Sequence, residues 1–170
     1  SPTQLGDYLC EIGFDVFNLA NNHSLDMVPS TGEAALTSYL NFWATHPEAA
    51  TTGLYRDQED YGNIRTLERN GITFSFLGMT EYTNGLTMPQ GTDVILMMTD
   101  DEAEIQARIE QAKSVSDVVV VNVHWGTEYT NEPTEFQKNL AQKMVDWGAD
   151  VILGHHPHVI QPVEWLERED

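Results

Sequence analysis

The chain is expected to fold as an α/β domain of layered architecture, and three observations carry that expectation. Runs of β-branched residues, above all the valines at 118–121, suit strands buried on both faces. Segments with apolar residues at i, i+3, i+4 and i+7 lie between those runs and suit helices packed on a sheet. Turn chemistry at Pro47, Asn70-Gly71 and Gly148 separates one element from the next. A length of 170 residues is that of one domain with a sizeable core, read here as 1–170.

Each element has its own justification. Residues 4–11 form a helix end with Leu5, Leu9 and Ile12 on one face, stopped by Gly13. Residues 14–20 form a buried strand that breaks at Asn21-Asn22-His23. A helix follows Pro29: Ser30 and Glu33 have capping-box spacing, and Leu36, Tyr39, Leu40 and Trp43 make its stripe up to Pro47. Residues 48–62 lack periodicity and are expected to be loop. Asn70-Gly71 joins 64–69 to 72–79 as a hairpin. A polar loop over 80–92 leads into a short strand at 93–97. A helix over 101–115 points Ile105, Ile109 and Ala112 inward, ahead of the strand at 117–123. Pro133 opens a helix striped by Phe136, Leu140, Met144 and Trp147, with Gly148 as its C-terminal cap. A further buried strand at 150–153 and a last strand at 159–166 complete the domain.

Composition narrows the function. Eight Lys and Arg stand against 27 Asp and Glu, for a formal net charge of −19. A nucleic-acid backbone or an anionic membrane is repelled by that charge, whereas a divalent cation is attracted. No apolar run is long enough to cross a bilayer, and no signal peptide is read in the chain. Cys10, the one cysteine, excludes an internal disulfide and a thiolate cluster, and its place in an apolar helix suggests a buried thiol.

The histidines supply the chemistry. Of six, His23, His124, His155, His156 and His158 follow expected strands, and His46 sits near a helix end. Loops at the carboxyl ends of strands form the ligand crevice of α/β folds. Three loops therefore bring imidazoles to one edge, together with Asn21, Asn22, Asp26, Gly126 and Glu128. Neutral imidazole binds zinc, manganese or iron, and Asn or carboxylate oxygens can complete the shell. A lone loop histidine is more often a hydrogen-bonded structural residue; the conjunction points to a metal or catalytic site.

Three segments resemble a known family. Phe14-Asp15-Val16 with Leu19-Ala20-Asn21-Asn22-His23-Ser24-Leu25-Asp26, then Val123-His124-Trp125-Gly126-Thr127-Glu128-Tyr129, then the run from Gly148 through Gly154-His155-His156-Pro157-His158 to Pro162 resemble the bacterial capsule-synthesis CapA family, the poly-γ-glutamate capsule biosynthesis proteins. That family is similar to the calcineurin-like metallophosphoesterases, so the resemblance implies a layered αββα fold with two metals. It implies that Asn22, His124 and His156 bind one divalent ion (Mn, Zn or Fe), that His158 binds the other, and that His23 protonates the leaving group. Asp26 would orient His23. His155, standing where the metallophosphoesterase pattern has glycine, is a further candidate ligand or supporting group. Glu128, Tyr129 and Glu132 are candidate substrate contacts, with a solvated loop as the bland alternative.

The superfamily's early aspartate and histidine and its bridging aspartate have no counterpart, since Asp7 and Asp15 do not match them. The chain is therefore read as the C-terminal two-thirds or more of such a domain, lacking its N-terminal portion, with weak or no activity alone. The resemblance implies a phosphoester or capsule-polymer substrate, capsule synthesis or export machinery as partner, and a membrane-anchored cell-surface location. An open sheet edge would favour a homodimer. A non-catalytic polymer assembly or export factor with a degenerate site, and a hydrolase of another bond such as an amide, are the competing readings.

Overall fold

A computed structural model describes residues 3–168. The elements are α1 (Thr3–Glu11), β1 (Val16–Asn18), α2 (Val28–Thr31), α3 (Ala34–Trp43), β2 (Ala50–Thr52), β3 (Leu54–Tyr55), α4 (Gln58–Gly62), β4 (Arg65–Arg69), β5 (Ile72–Thr80), β6 (Ile95–Leu96), α5 (Glu102–Val115), β7 (Val118–His124), α6 (Glu135–Trp147) and β8 (Val151–His155). The main sheet has the order β4-β5-β7-β8; β4 and β5 are antiparallel, and the β5–β7 and β7–β8 pairs are parallel. β1 and β2 form a parallel pair, and β3 and β6 an antiparallel one.

The layers follow from side-chain alternation along β7. Val119, Val121 and Val123 join Leu77 and Met79 of β5, Ile105, Ile109 and Ala112 of α5, and Leu140 and Met144 of α6 in one core. On the opposite face of that sheet lies the β1–β2 pair, where Thr52 Oγ1 donates to the Phe76 carbonyl at 3.3 Å. Outside β1 and β2 sits α3, whose Leu36, Leu40 and Trp43 pack with Leu19, Leu54, Val94 and Leu96 as a second core. The Trp43 and Phe17 rings lie 4.2 Å apart. The order helix, sheet, sheet, helix is the layered α/β fold that the sequence predicts.

Several expectations hold locally. Arg69 pairs directly with Ile72, so Asn70-Gly71 is a two-residue turn with φ of 55° and 78°, the combination a type I′ hairpin requires. α5 buries Ile105, Ile109 and Ala112 as expected, and Asp101 caps it by accepting the Glu104 N–H at 3.0 Å. Gly148 ends α6 with φ 119°, a left-handed cap that favours glycine.

Others are corrected. Residues 48–62 are not a loop: they contain β2, β3 and α4. Small hydroxylated residues disguise β2, since Thr52 is fully buried but hydrogen-bonds the Tyr55 hydroxyl at 2.9 Å. The capping box at Ser30 and Glu33 does not form; Ser30 lies in α2 and its hydroxyl donates to the Met27 carbonyl. A capping box does form at Thr134 and Gln137, placing Pro133 just before α6 rather than in its first turn. Leu5, Ile12 and Phe14 are exposed, as is Phe136, so the first helix, the first strand and α6 bury less than their patterns suggest; β8 is not a buried strand either, with Val151 and Leu153 exposed. Cys10 is half-buried rather than buried. The strands at 14–20 and 93–97 shorten to β1 and β6.

No strand forms at 159–166: Val163 and Trp165 are 100% exposed. Pro162 has no N–H to give to a ladder, and backbone carbonyls of this stretch and just beyond it accept from side chains instead, Ile160 from Asn131 and Glu167 from Gln142. Among the described residues no helix is long and apolar enough to cross a membrane.

Candidate functional site

The loop after β1 is built from its own side chains. Ser24 Oγ accepts the Asn21 N–H at 2.9 Å and donates to the Leu19 carbonyl at 2.9 Å. Asn21 Oδ1 accepts the His23 N–H at 2.9 Å. Leu25 anchors the turn in the α3 core. These local bonds are why a sequence of Asn, Asn, His and Ser leaves the strand abruptly, and they project Asn22 and His23 from the end of β1.

His124 comes from the end of β7. Its carbonyl accepts from the Glu81 N–H at 2.9 Å and the Thr80 hydroxyl at 3.3 Å, which fixes the strand end. Its Nε2 lies 2.9 Å from Asn22 Oδ1. The two residues are 102 positions apart, and they meet because both sheets present their carboxyl ends on the same side. The His156 ring lies 4.8 Å from that of His124 and 5.9 Å from that of His158. His155 pairs with His124 across the β7–β8 ladder, so it stands beside the cluster, on the strand itself rather than after it.

Glu128 faces this cluster from the loop after β7. Its Oε1 is 4.0 Å from His156 Nε2 and 3.8 Å from His158 Nε2. One donor atom from each of these three residues falls within 4.8 Å of the others, a grouping able to hold a metal ion. The loop is tied down by the Tyr129 N–H on the Pro157 carbonyl at 2.7 Å. Gln137 adds a second tie: its amide donates to Gln161 Oε1 at 2.9 Å, and Gln161 donates to the Thr130 carbonyl at 2.9 Å. Tyr129 stacks on the His158 ring at 5.6 Å. Because Gln137 is buried, Gln161→Ala is expected to cost about 1–3 kcal/mol through its unpaired amide and to loosen the Glu128 loop. Thermal unfolding and amide exchange over 126–131 would check this; unchanged exchange there would count against the tie.

His156 and His158 have φ of 96° and 58°. Left-handed backbone at non-glycine residues costs about 1–3 kcal/mol each and concentrates at functional sites. His156 Nδ1 is buried with no hydrogen-bond partner among the described residues. An unsatisfied imidazole nitrogen beside two further imidazoles, an amide oxygen and a carboxylate fits a borderline divalent cation.

His124 is pushed down to about 4, first by burial and then by the neighbouring His156, His155, His158 and His23. It is therefore neutral at physiological pH, the form that ligates metal. With its ordinary value at 6.5 and its folded value near 4, the unfolded chain binds this proton first. The resulting stability is present above pH 6.5 and is lost as the pH falls toward 4. Denaturant midpoints of metal-free protein should fall over that interval, and His124→Gln should flatten the fall; parallel curves would refute the assignment.

The second chemical element is His23 with Asp26. Asp26 Oδ2 lies 2.7 Å from His23 Nδ1. A carboxylate only accepts, so the proton is on Nδ1 and Nε2 is free to exchange one. His23 is 66% exposed on its side chain, open to a substrate. Asn84 lies between the two groups: its Oδ1 accepts from Asn22 Nδ2 at 3.3 Å and its amide lies 3.4 Å from His23 Nδ1. Sequence reasoning missed Asn84, since it sits in an unpatterned polar loop with only the turn pair Asn84-Gly85 as a cue.

The structure thus gathers Asn22, His124, His156, His158 and Glu128, with His23 and Asp26 alongside. Over residues 1–169 the chain matches the family described as bacterial capsule synthesis protein PGA_cap. It is 36% identical over 157 residues to the PGA biosynthesis protein CapA of Bacillus subtilis, a match covering 92% of this chain and 40% of that protein. It is also 36% identical over 154 residues to the capsule biosynthesis protein CapA of Bacillus anthracis, covering 89% of this chain and 36% of that one. An uncharacterised protein of Sinorhizobium fredii is 33% identical over 89 residues, 49% of this chain. The chain spans two-fifths or less of the length of these curated relatives.

Proposed function

The chain belongs to the bacterial capsule synthesis protein PGA_cap family, and on that premise we propose that its histidine-lined end is the metal-dependent hydrolytic site of a capsule biosynthesis protein, acting on a phosphoester. The observation that carries the reading is the meeting of Asn22 and His124 from two different sheets beside His156, whose Nδ1 is buried and unpaired. Manganese, zinc or iron suits this mixture of imidazole, amide and carboxylate donors. When bound, such an ion supplies a nucleophilic water at neutral pH and polarises a phosphoryl oxygen.

The chain's own residues divide the work. Asn22, His124 and His156 hold one divalent ion; His158 and Glu128 are the donors toward a second. Asp26 accepts the His23 Nδ1 proton and so steadies the doubly protonated ring, from which Nε2 gives its proton to the departing oxygen, leaving the neutral Nδ1-protonated tautomer. Tyr129, beside His158, contacts the substrate. Glu128 leaves the metal-free site repellent to a phosphate, and bound cations reverse that sign. Capsule polymer or a precursor as substrate, capsule assembly or export machinery as partner, and a cell-surface location belong to the same proposal.

Elemental analysis after dialysis without chelator tests it. Wild-type protein should retain at least one divalent ion per chain more than His124→Ala/His156→Ala, with the fold of the variant intact by circular dichroism. Retention should coincide with turnover in a phosphoester screen of the protein. A folded protein without metal would sink the reading and favour a non-catalytic role in polymer assembly or export.

A further inference from the structure

We propose that Asp7, Cys10, His46 and Glu48 form a second, separate metal site for a thiophilic divalent cation of the zinc type. These residues lie at the other end of β1 from the site above. Asp7 and Cys10 are on α1, ahead of β1, whereas His46 and Glu48 fall between α3 and β2. β1 and β2 are parallel, with Val16 opposite Ala50, so both connections enter the sheet at the same end. Asn22 and His23 leave from the opposite one.

Cys10 Sγ, a ring nitrogen of His46 and a Glu48 carboxylate oxygen all lie within 4.8 Å of one another. Asp7 Oδ1 is 3.0 Å from His46 Nε2. Glu11 completes the lining of the pocket, and no Lys or Arg lines it among the described residues. Cys10, His46 and Glu48 supply a thiol, an imidazole and a carboxylate as the close group, and the Asp7 carboxylate adjoins the imidazole in the same pocket; four donors is the number a structural zinc takes. The sulfur disfavours magnesium and calcium, which prefer oxygen alone.

His46 gives the independent observation. Its Nδ1 lies 3.3 Å from the Phe42 carbonyl and 3.1 Å from the Thr45 hydroxyl. A carbonyl only accepts, so Nδ1 carries a proton. In the neutral ring, Nε2 then presents a lone pair to the Asp7 carboxylate, and a proton or a metal cation must lie between them. Donation of the other ring nitrogen to a backbone carbonyl is the arrangement that orients metal-ligating histidines. The ring is held by Phe42 and Trp43, with centroids at 4.8 and 5.9 Å, and its side chain is only 12% exposed.

Cobalt titration separates a metal from a proton. In the His124→Ala/His156→Ala protein, which lacks two ligands of the first site, cobalt(II) should produce a near-ultraviolet thiolate-to-cobalt charge-transfer band at one ion per chain. Zinc should abolish the band. Cys10→Ser should remove it, and His46→Ala should weaken cobalt binding by at least ~10-fold. Circular dichroism of each variant guards against misfolding, and Glu48→Gln offers a milder change that should also weaken binding. Absence of the band, or a band indifferent to both His46→Ala and Glu48→Gln, would leave only a His46–Asp7 ion pair and overturn the site.

Discussion

His23→Ala is expected to lower phosphoester turnover by the protein by ~10²–10⁴-fold while its metal content stays the same. His23 is exposed, is held at 2.7 Å by Asp26, and is not among the clustered donors Glu128, His156 and His158. Its loss therefore removes a proton donor without removing a ligand. The effect should depend on the leaving group: an ester whose departing oxygen needs no proton should lose far less. Asp26→Asn should show a smaller loss and a displaced pH profile, because the amide favours the other tautomer. Should His23→Ala lose metal in parallel with activity, His23 is a ligand and the division of roles proposed above fails.

Gly78→Val is expected to damage the fold severely. Gly78 lies on β5 where the main sheet meets β1 and β2. A Cβ there would fall 2.9 Å from Thr52 Cγ2 and 3.0 Å from Asn18 Cγ, with Asn18 Oδ1 closer still. Thr52 is fully buried and cannot swing aside. Asn18 Oδ1 accepts the Ala20 N–H at 3.0 Å, so displacing it releases the backbone that leads into the Asn22–His23 loop. Overpacking costs about 1–3 kcal/mol and occasionally more; valine here should reach or exceed the top of that range. Urea midpoints of Gly78→Ala and Gly78→Val should fall in that order, and the metal affinity of whatever remains folded should fall with them. A Gly78→Val protein with an unchanged midpoint would mean that the two sheets do not meet this closely.

The candidate site residues were legible because polar residues interrupt an apolar pattern. Asn22, His23, His124, His156 and His158 each follow an apolar run that would otherwise continue, and that break is visible in a single sequence. Asn84 was not legible, because its role depends on being brought between Asn22 and His23 by a loop some sixty residues further along the chain. Gln161 was likewise hidden, as its bond to Gln137 joins the segment after β8 to the helix before it. The missed strand β2 shows the same limit from the packing side: Thr52 is buried without being apolar, since a hydroxyl partner and a neighbouring carbonyl satisfy it. The strand expected at 159–166 shows the converse, for apolar residues at strand-like spacing do nothing without a ladder to join.

By itself the sequence determined the local codes: the Asn70-Gly71 hairpin, the inward face of α5, the buried valine strand and the strand-end histidines. These depend on periodicity and turn stereochemistry, which act over a few residues. Only the tertiary structure decided that β1 and β7 end side by side in different sheets, so that Asn22 and His124 come within 2.9 Å. It also placed Glu128 against His156 and His158, and brought Cys10 to His46 at the far end. Such meetings depend on how two sheets stack across glycine and threonine, a contact between distant segments that no local pattern encodes.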